Sequence, residues 1–379
     1  MATTRSLTFA ATSRDFVTTL NKRVNDYFKT HDISRHANIE MAIKTIFMFG
    51  LYFGPYFLVI TGVVTDMAWQ IGLVIIMGLG LAGIGLSVMH DANHGAYSKR
   101  QWVNTTIGYS LNLIGANAFN WKIQHNMLHH SYTNVHEEDE DISPRGVLRL
   151  SPHSEWRYMH QFQFIYAWFL YGLMTLVWMV AKDFVRIIRY HKNGLARKSN
   201  ADIKEEWMIL LGTKILYVGY IFALPVWLTD LYWWQVLIGI FIMQYIAGFI
   251  LAIIFQPAHV IEGTEYPLPD ENRMLENNWA VHQLLTTTNF ATTSRWFSWY
   301  VGGLNFQIEH HLFPNICHVH YRNIAQIVKD TALDFGLPYH CKKTFWEAIA
   351  SHARLLKQLG KRPAPFTTPL TSDNPVKLY

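Results

Sequence analysis

The sequence predicts an all-α integral membrane protein in which four transmembrane helices form two hairpins beneath a cytoplasmic helical cap. Three observations lead to this fold class. Charged residues make up only 16% of the 379 residues and hydrophobic residues 50%, whereas about 25% charged residues is usual for a soluble domain. Several apolar stretches reach the roughly 20 residues that cross a bilayer. The 19 histidines are concentrated outside those stretches.

Composition also excludes several classes of protein. A chain with this much apolar surface cannot be mostly disordered, because that surface would stay exposed to water. The two cysteines, Cys317 and Cys341, form no CxxC motif and are too few for a disulfide scaffold or a thiolate metal site. The net charge of +5 is modest, and we expect no nucleic-acid partner.

Four apolar segments are predicted to cross the membrane. They cover residues 46–64, 67–89, 207–228 and 231–255. Only Thr65 and Asp66 separate the first two segments, and only Thr229 and Asp230 separate the last two. Each pair is therefore expected to form a tight helical hairpin.

The distribution of basic residues predicts the orientation. Neither short connection contains Lys or Arg, whereas the first forty residues contain Arg5, Arg14, Lys22, Arg23, Lys29 and Arg35. Lys and Arg concentrate on the cytoplasmic side of membrane proteins. Both termini and the polar face of the protein are accordingly expected in the cytoplasm.

Seven histidines fall into three compact groups along the chain. The groups are His90 with His94, His125 with His129 and His130, and His310 with His311. Helical residues four apart share a face, while adjacent residues point about 100° apart, so His129 and His130 should reach different centres. One such pair is usually incidental. Seven imidazoles in three groups predict two neighbouring metals, for which iron, zinc, copper or nickel are suitable.

A fifth apolar segment, residues 162–181, is not expected to cross the membrane. The basic stretch from Lys182 to Lys204 follows it and would otherwise lie outside the cell. The histidine groups must also meet on one side, which requires an even number of crossings between the second and third groups. Three apolar segments lie between those groups, 162–181, 207–228 and 231–255, so one of them does not cross. This segment is therefore expected in the interface or against other helices.

The histidine groups resemble the three histidine boxes of the membrane fatty-acid desaturase family. They read HDANH at 90–94, HNMLHH at 125–130 and QIEHH at 307–311, in the order of that family. The stretches HHSYTN (129–134) and GGLNFQIEHHLFPNI (302–316) are similar as well. Gln307 in the third box resembles the front-end desaturases, which insert a double bond between an existing one and the carboxyl end.

The resemblance covers about residues 40–345 and implies three parts of the chain. Residues 1–40 form a cytoplasmic N-terminal segment, residues 41–345 the membrane desaturase domain, and residues 346–379 a C-terminal helix with a disordered tail. Within the second part, the resemblance implies two irons bound by the box histidines, namely His90, His94, His125, His129, His130, His310 and His311.

The family also takes a ligand from a histidine shortly after the last membrane helix. His259 is best positioned for that role, and His282 is its competitor. Ligating histidines usually donate their second N–H to a carboxylate or an amide. The candidates for this supporting role are Asp91, Asn134, Asp139, Asp141, Gln307 and Glu309. The remaining histidines that lie near the boxes or between them are expected to be ordinary surface residues: His136, His153, His160, His318 and His320.

The implied reaction is the oxygen-dependent insertion of a cis double bond into an acyl chain. Acid–base groups alone cannot break an unactivated C–H bond, so iron and dioxygen must supply the chemistry. The substrate is expected to be a fatty acyl group carried by CoA, by a carrier protein or by a lipid. The sequence contains no His-Pro-Gly-Gly motif of the kind found in fused haem domains, so we expect a separate ferredoxin or cytochrome b5 to deliver the electrons.

The acyl chain is expected to lie in a narrow apolar tunnel. Trp121, Trp296, Trp299 and Phe306 are near the boxes in sequence and could line it, but ordinary packing is favoured over that role for each of them. A sphingolipid desaturase and a membrane lipid hydroxylase are alternatives that use the same metal chemistry. A metal transporter is less favoured because transporter sites lie near the bilayer midplane, whereas these histidines lie beyond the apolar segments.

Overall fold

The computed structural model describes residues 7–143 and 146–363 and is built almost entirely of helices. Within these residues, four helices are long and apolar enough to cross a membrane: Ile39–Ile60, Met67–Asn93, Ile203–Leu228 and Trp233–His259. We call them the first to fourth membrane helices. They correspond to the four predicted segments and confirm a helical integral membrane protein. Residues 364–379, where the tail was predicted, lie outside the described residues.

Polar caps explain where several membrane helices begin. The Asn38 side chain accepts a hydrogen bond from the backbone N–H of Met41, which starts the first helix well before its apolar segment. Asp66 accepts from the N–H groups of Ala68 and Trp69 at the start of the second helix. Such caps satisfy backbone donors that have no partner inside the helix.

The second membrane helix packs between the first and the fourth. Small residues permit the close approach, since a Cβ added at Gly80 would lie 2.6 Å from the backbone nitrogen of Tyr52. Small residues serve the same purpose in other membrane helix pairs. The second helix also continues past its apolar segment to Asn93, so that His90 lies in its last turn.

Wider π-helical turns interrupt the described helices in four places: Ile84–Val88, Lys122–His129, Trp178–Lys182 and Gly219–Ala223. The first two lie directly before or within a histidine box. π-turns are rare and often occur at functional sites. In a π-turn, residues five apart come to lie on the same helix face, and the second histidine box lies in such a turn.

The fifth apolar segment is bent. Helices Tyr158–Gly172 and Met174–Lys192 meet at an angle of 59°. Only the two helices together are long and apolar enough to cross a membrane. Both halves pack against the fourth membrane helix.

The other regular secondary structure of the described chain consists of shorter helices, which include those of the fifth segment, and two small strand pairs. The helices are Arg14–Thr30, Gln101–Gly108, Ser110–Leu113, Ala118–Trp121, Glu140–Ile142, Tyr158–Phe162, Gln163–Gly172, Met174–Val177, Asp183–Lys192, Leu195–Lys198, Trp279–Thr286, Arg295–Tyr300, Gln307–Leu312, His318–His320, Tyr321–Asp334 and Phe345–Gly360. The parallel strand pairs are Thr8–Phe9 with Met274–Leu275, and Asn289–Phe290 with Cys341–Lys342.

The N-terminal helix Arg14–Thr30 is an integral part of the polar half of the molecule. Its buried face, which includes Phe16 and Leu20, joins a core with Leu284, Ile308 and Ile324. This core supports the helix that carries the third histidine box.

Three histidines that were expected on the surface are buried: His160, His318 and His320. The expectation was wrong because each ring has a polar partner inside the fold. His160 Nε2 lies 2.9 Å from the Gly146 carbonyl oxygen, and His320 Nε2 lies 3.1 Å from that of His36. His318 contacts Asp91. Of the other two, His153 is exposed and His136 is half-buried.

Candidate metal centre

The first histidine group consists of His90, His94, His125 and His310. One ring nitrogen from each lies within 4.8 Å of the others. Three elements bring them together: the end of the second membrane helix, the π-turn Lys122–His129 and the short helix Gln307–Leu312. All three boxes therefore contribute to one group.

The second histidine group consists of His129, His259 and His311, again with ring nitrogens within 4.8 Å of one another. His259 is the last residue of the fourth membrane helix. His129 and His311 come from the second and third boxes. Four elements thus converge on two adjacent groups.

His130 lies between the two groups. Its Nε2 is 2.9 Å from His310 Nε2 and 3.2 Å from His125 Nε2, and its ring stacks on that of His311. The π-turn explains this arrangement, since the backbone N–H of His130 bonds the carbonyl five residues earlier, at His125. The turn thereby places His130 beside His125. His129 takes part in the second group, although its ring nitrogen also lies within 4.8 Å of one of His125.

The close approach of the third box to the first depends on two glycines. Gly302 and Gly303 both have positive φ angles, +64° and +66°, which side chains rarely adopt. A Cβ at Gly302 would also collide with the carbonyl of Leu86 in the π-turn before His90. The glycines therefore bring the third box close to the end of the second membrane helix.

Several ring nitrogens of these histidines have no hydrogen-bond partner within the described residues. They are both nitrogens of His90, Nε2 of His94, His259 and His311, and Nδ1 of His130. Buried polar atoms are nearly always paired, so this many orphaned nitrogens fit a bound metal. Burial lowers the pKa of His125, His130, His310 and His311 well below the usual value. Neutral imidazole is the form that binds metals.

Hydrogen bonds orient every ring of the second group. His129 Nδ1 lies 3.1 Å from an Asp139 oxygen, and His311 Nδ1 lies 2.8 Å from Gln283 Oε1. His259 Nδ1 lies 3.2 Å from the Thr286 carbonyl oxygen. Burial opposes protonation of His129, but the Asp139 carboxylate, with Asp141 at 3.6 Å, raises the pKa of His129.

The first group is supported mainly by packing. The Trp121 ring lies 4.4 Å from that of His125, measured between centroids, and 5.6 Å from that of His90. Tyr321 contributes a hydroxyl 3.2 Å from His310 Nδ1. The Asp91 carboxylate lies 3.7 Å from His90 Nδ1, which is beyond hydrogen-bond distance.

Three other residues selected from the sequence contact no ring nitrogen of the two groups. Asn134 donates to the backbone carbonyl oxygens of His259 and Glu265. Glu309 accepts from Asn289 and Tyr339, and burial raises its pKa to about 7. It points away because its neighbours His310 and His311 occupy the site-facing side of their helix. His282 Nε2 lies 2.8 Å from the Thr133 carbonyl oxygen, outside the two groups.

Gln307 is buried beside the second histidine group, and its Nε2 has no partner within the described residues. The sequence had not singled out Gln283, Thr286 or Tyr321. They lie outside any histidine motif, and only the folded chain brings them to the site.

A largely apolar cavity adjoins both groups. Its lining includes His125 of the first group and His129 and His259 of the second, with Trp121, Met174, Trp178, Ala252 and Phe255 as apolar walls. Of the other aromatic candidates, Trp296 is exposed and Phe306 belongs to the core under the N-terminal helix.

The fold and the site together define a helical membrane protein with a histidine-rich metal site. Comparison with known proteins gives the family, since the pattern of the fatty acid desaturase family matches residues 67–343. The chain belongs to this family and is an oxidoreductase that desaturates fatty acyl chains. The metal-transporter alternative is thereby set aside.

Similar proteins cover most of the chain. The sn-1 linoleoyl-lipid 6-desaturase of Synechocystis is 36% identical over 351 residues, which is 92% of this chain and 96% of the relative. The acyl-lipid (8-3)-desaturase of Physcomitrium patens is 36% identical over 92% of this chain and 72% of its own length. The Delta(5) fatty acid desaturase A of Dictyostelium discoideum is 31% identical over 95% and 78%.

Proposed function

We propose that the chain is a front-end acyl-lipid desaturase whose two irons are bound by the two histidine groups. The observation that carries this proposal is the pair of adjacent, buried groups with orphaned ring nitrogens. When bound, the irons would supply the redox chemistry with dioxygen that an unactivated C–H bond requires. His90, His94, His125 and His310 would bind one iron, and His129, His259 and His311 the other. His130, which also shares a group with His310 and His311, would bind one of the two.

His259 is the better candidate for the ligand outside the boxes. Its Nε2 has no partner within the described residues and belongs to the second group. His282 already uses its Nε2 on a backbone carbonyl.

The surrounding residues hold the rings in one tautomer. Asp139, Gln283 and the Thr286 carbonyl each accept the Nδ1 proton of a histidine in the second group. The Nε2 atoms then keep their lone pairs for the metal, as in other histidine metal sites.

The acyl chain would bind in the apolar cavity. Its apolar walls extend along both histidine groups, so neighbouring carbons of one chain would face the site. Two of the relatives are named as a linoleoyl-lipid 6-desaturase and an acyl-lipid (8-3)-desaturase, and the third as a Delta(5) fatty acid desaturase. The first two names favour a lipid-linked substrate over acyl-CoA, and the three together favour the front-end type.

The proposal retains the predicted topology. Two hairpins would leave the histidine groups and both termini in the cytoplasm, and the fifth segment, which is bent by 59°, would stay on that side of the membrane. An external electron donor of the ferredoxin or cytochrome b5 type would reach the site from that side.

Expression in a host of known fatty-acid composition tests this function. Chromatography of the methyl esters should reveal a new cis double bond, between an existing one and the carboxyl end. His129→Ala should abolish the product while His153→Ala, which removes an exposed histidine outside both groups, should not. A fully active His129→Ala variant would contradict the assigned site, and a hydroxylated or sphingoid product would favour one of the alternatives.

A further inference from the structure

Lys44 is a buried cation in the first membrane helix. Its side chain is only 1% exposed. A buried ammonium has lost its hydration and needs polar partners inside the protein. Lys44 Nζ lies 2.6 Å from His318 Nε2, and the ammonium also lies over the Trp299 ring at 5.2 Å.

The contact with Lys44 determines how His318 is protonated. An ammonium can only donate hydrogen bonds, so His318 Nε2 is the acceptor and Nδ1 carries the ring proton. This Nδ1–H donates to Asp91 Oδ2 at 2.8 Å, and the backbone N–H of His318 donates to the same oxygen at 3.0 Å. Two donors from one residue therefore fix the Asp91 carboxylate.

The second oxygen of Asp91 faces the metal site. Oδ1 lies 3.7 Å from His90 Nδ1, and both side chains are 1% exposed. His90 Nδ1 has no other partner within the described residues. A buried chain of polar contacts thus runs from Lys44 through His318 and Asp91 to the first histidine group.

A third metal site is the alternative interpretation of the same residues. Asp91, Cys317 and His318 offer ligand atoms within 4.8 Å of one another. However, the unprotonated ring nitrogen of His318, Nε2, already accepts a hydrogen bond from Lys44. Asp91 Oδ2 already accepts two hydrogen bonds. A metal there would also lie close to the positive charge of the ammonium, which disfavours it.

We propose that Lys44 and His318 are positioning residues that hold the Asp91 carboxylate beside His90 and so orient this histidine toward its iron. The inference rests on the proposed di-iron site and assigns a role to two residues outside it. At 3.7 Å from His90 Nδ1 the carboxylate is too far for a hydrogen bond, so it acts on the ring through its charge and its packing. Losing an outer partner of a ligating histidine typically lowers metal affinity by about 10- to 100-fold.

The test uses the purified full-length protein and measures iron per chain together with its Mössbauer spectrum. Lys44→Met removes the charge but retains an aliphatic stem, and His318→Leu removes both contacts. Each should lower iron affinity at the first group by about 10- to 100-fold, while the signal of the second group is retained. His318→Asn, which keeps an N–H donor near Asp91, should restore part of the loss.

Lys214→Met is the matched control. Lys214 is another buried lysine of a membrane helix, and its Nζ lies 2.8 Å from Asp183 rather than near a histidine of either group. This variant should lose stability without a change in the iron spectrum. If His318→Leu does not fold, Lys44→Met decides the outcome.

Two results are distinguishable. If Lys44→Met and a folded His318 variant keep both irons and the wild-type spectrum, the positioning role is wrong and the di-iron proposal stands. If the wild-type protein itself binds no iron, the proposed function fails first.

Discussion

The two histidine groups are adjacent but are held by different means. In the second group, Asp139, Gln283 and the Thr286 carbonyl each bond one ring. In the first group, both nitrogens of His90 are without hydrogen-bond partners within the described residues, and its neighbours are aromatic rings. Hydrogen bonds fix a ring's tautomer and direction, whereas packing fixes its position only. The second group should therefore be preorganised, and the first should depend on its surroundings.

The largest expected effect on activity and iron content comes from replacing two adjacent histidines one at a time. His310 belongs to the first group and His311 to the second. Changing either residue to Ala should reduce desaturation to background, but each variant should lose a different iron. Mössbauer spectra of the two purified variants should show complementary missing signals. Identical spectra would mean that the two groups are not separate sites.

A smaller effect is expected from the carboxylate of the second group. Asp139→Asn removes the charge beside His129 and should weaken iron binding there by about 10- to 100-fold, as measured by competition with a chelator. Asp141→Asn is the matched comparison, because its carboxylate lies 3.6 Å from His129 Nδ1 rather than 3.1 Å. An equal loss in both variants would contradict the hydrogen-bonding role of Asp139.

The smallest effect concerns neutral hydrogen bonds. Tyr321→Phe removes the hydroxyl 3.2 Å from His310 Nδ1 and should weaken iron binding in the first group by about 2- to 10-fold, the equivalent of one ordinary hydrogen bond. Gln283→Leu should weaken the second group at least as much, since its Oε1 also accepts from Thr133. In the chelator competition, Gln283→Leu should lose at least as much iron affinity as Tyr321→Phe. A larger loss in Tyr321→Phe would contradict the contrast between the groups.

The helical membrane fold could be predicted because it depends on residue type alone. Four long apolar stretches, in which Lys214 is the one charged residue, have few other stable solutions. Their ends were less accurate, since the first helix begins at Ile39 through the Asn38 cap rather than at its first run of apolar residues. The hairpin orientation and cytoplasmic sidedness stay predictions.

The candidate site was predictable only as a set of histidines. Spacing identified the boxes, but α-helical geometry could not place His130 beside His125, because the π-turn brings residues five apart together. Lys44 and His318 are separated from the first box by long stretches of chain, and only tertiary packing joins them to Asp91. In the sequence, Lys44 stands just before the first apolar segment, and no motif connects it to the first box.

The metal content of the wild-type protein tests the central claim most directly. Purified protein expressed in medium supplemented with isotopically enriched iron should contain about two irons per chain. Its Mössbauer spectrum should resolve two environments, one for each histidine group. A single iron per chain, or zinc in its place, would contradict the assignment of two metals to these histidines.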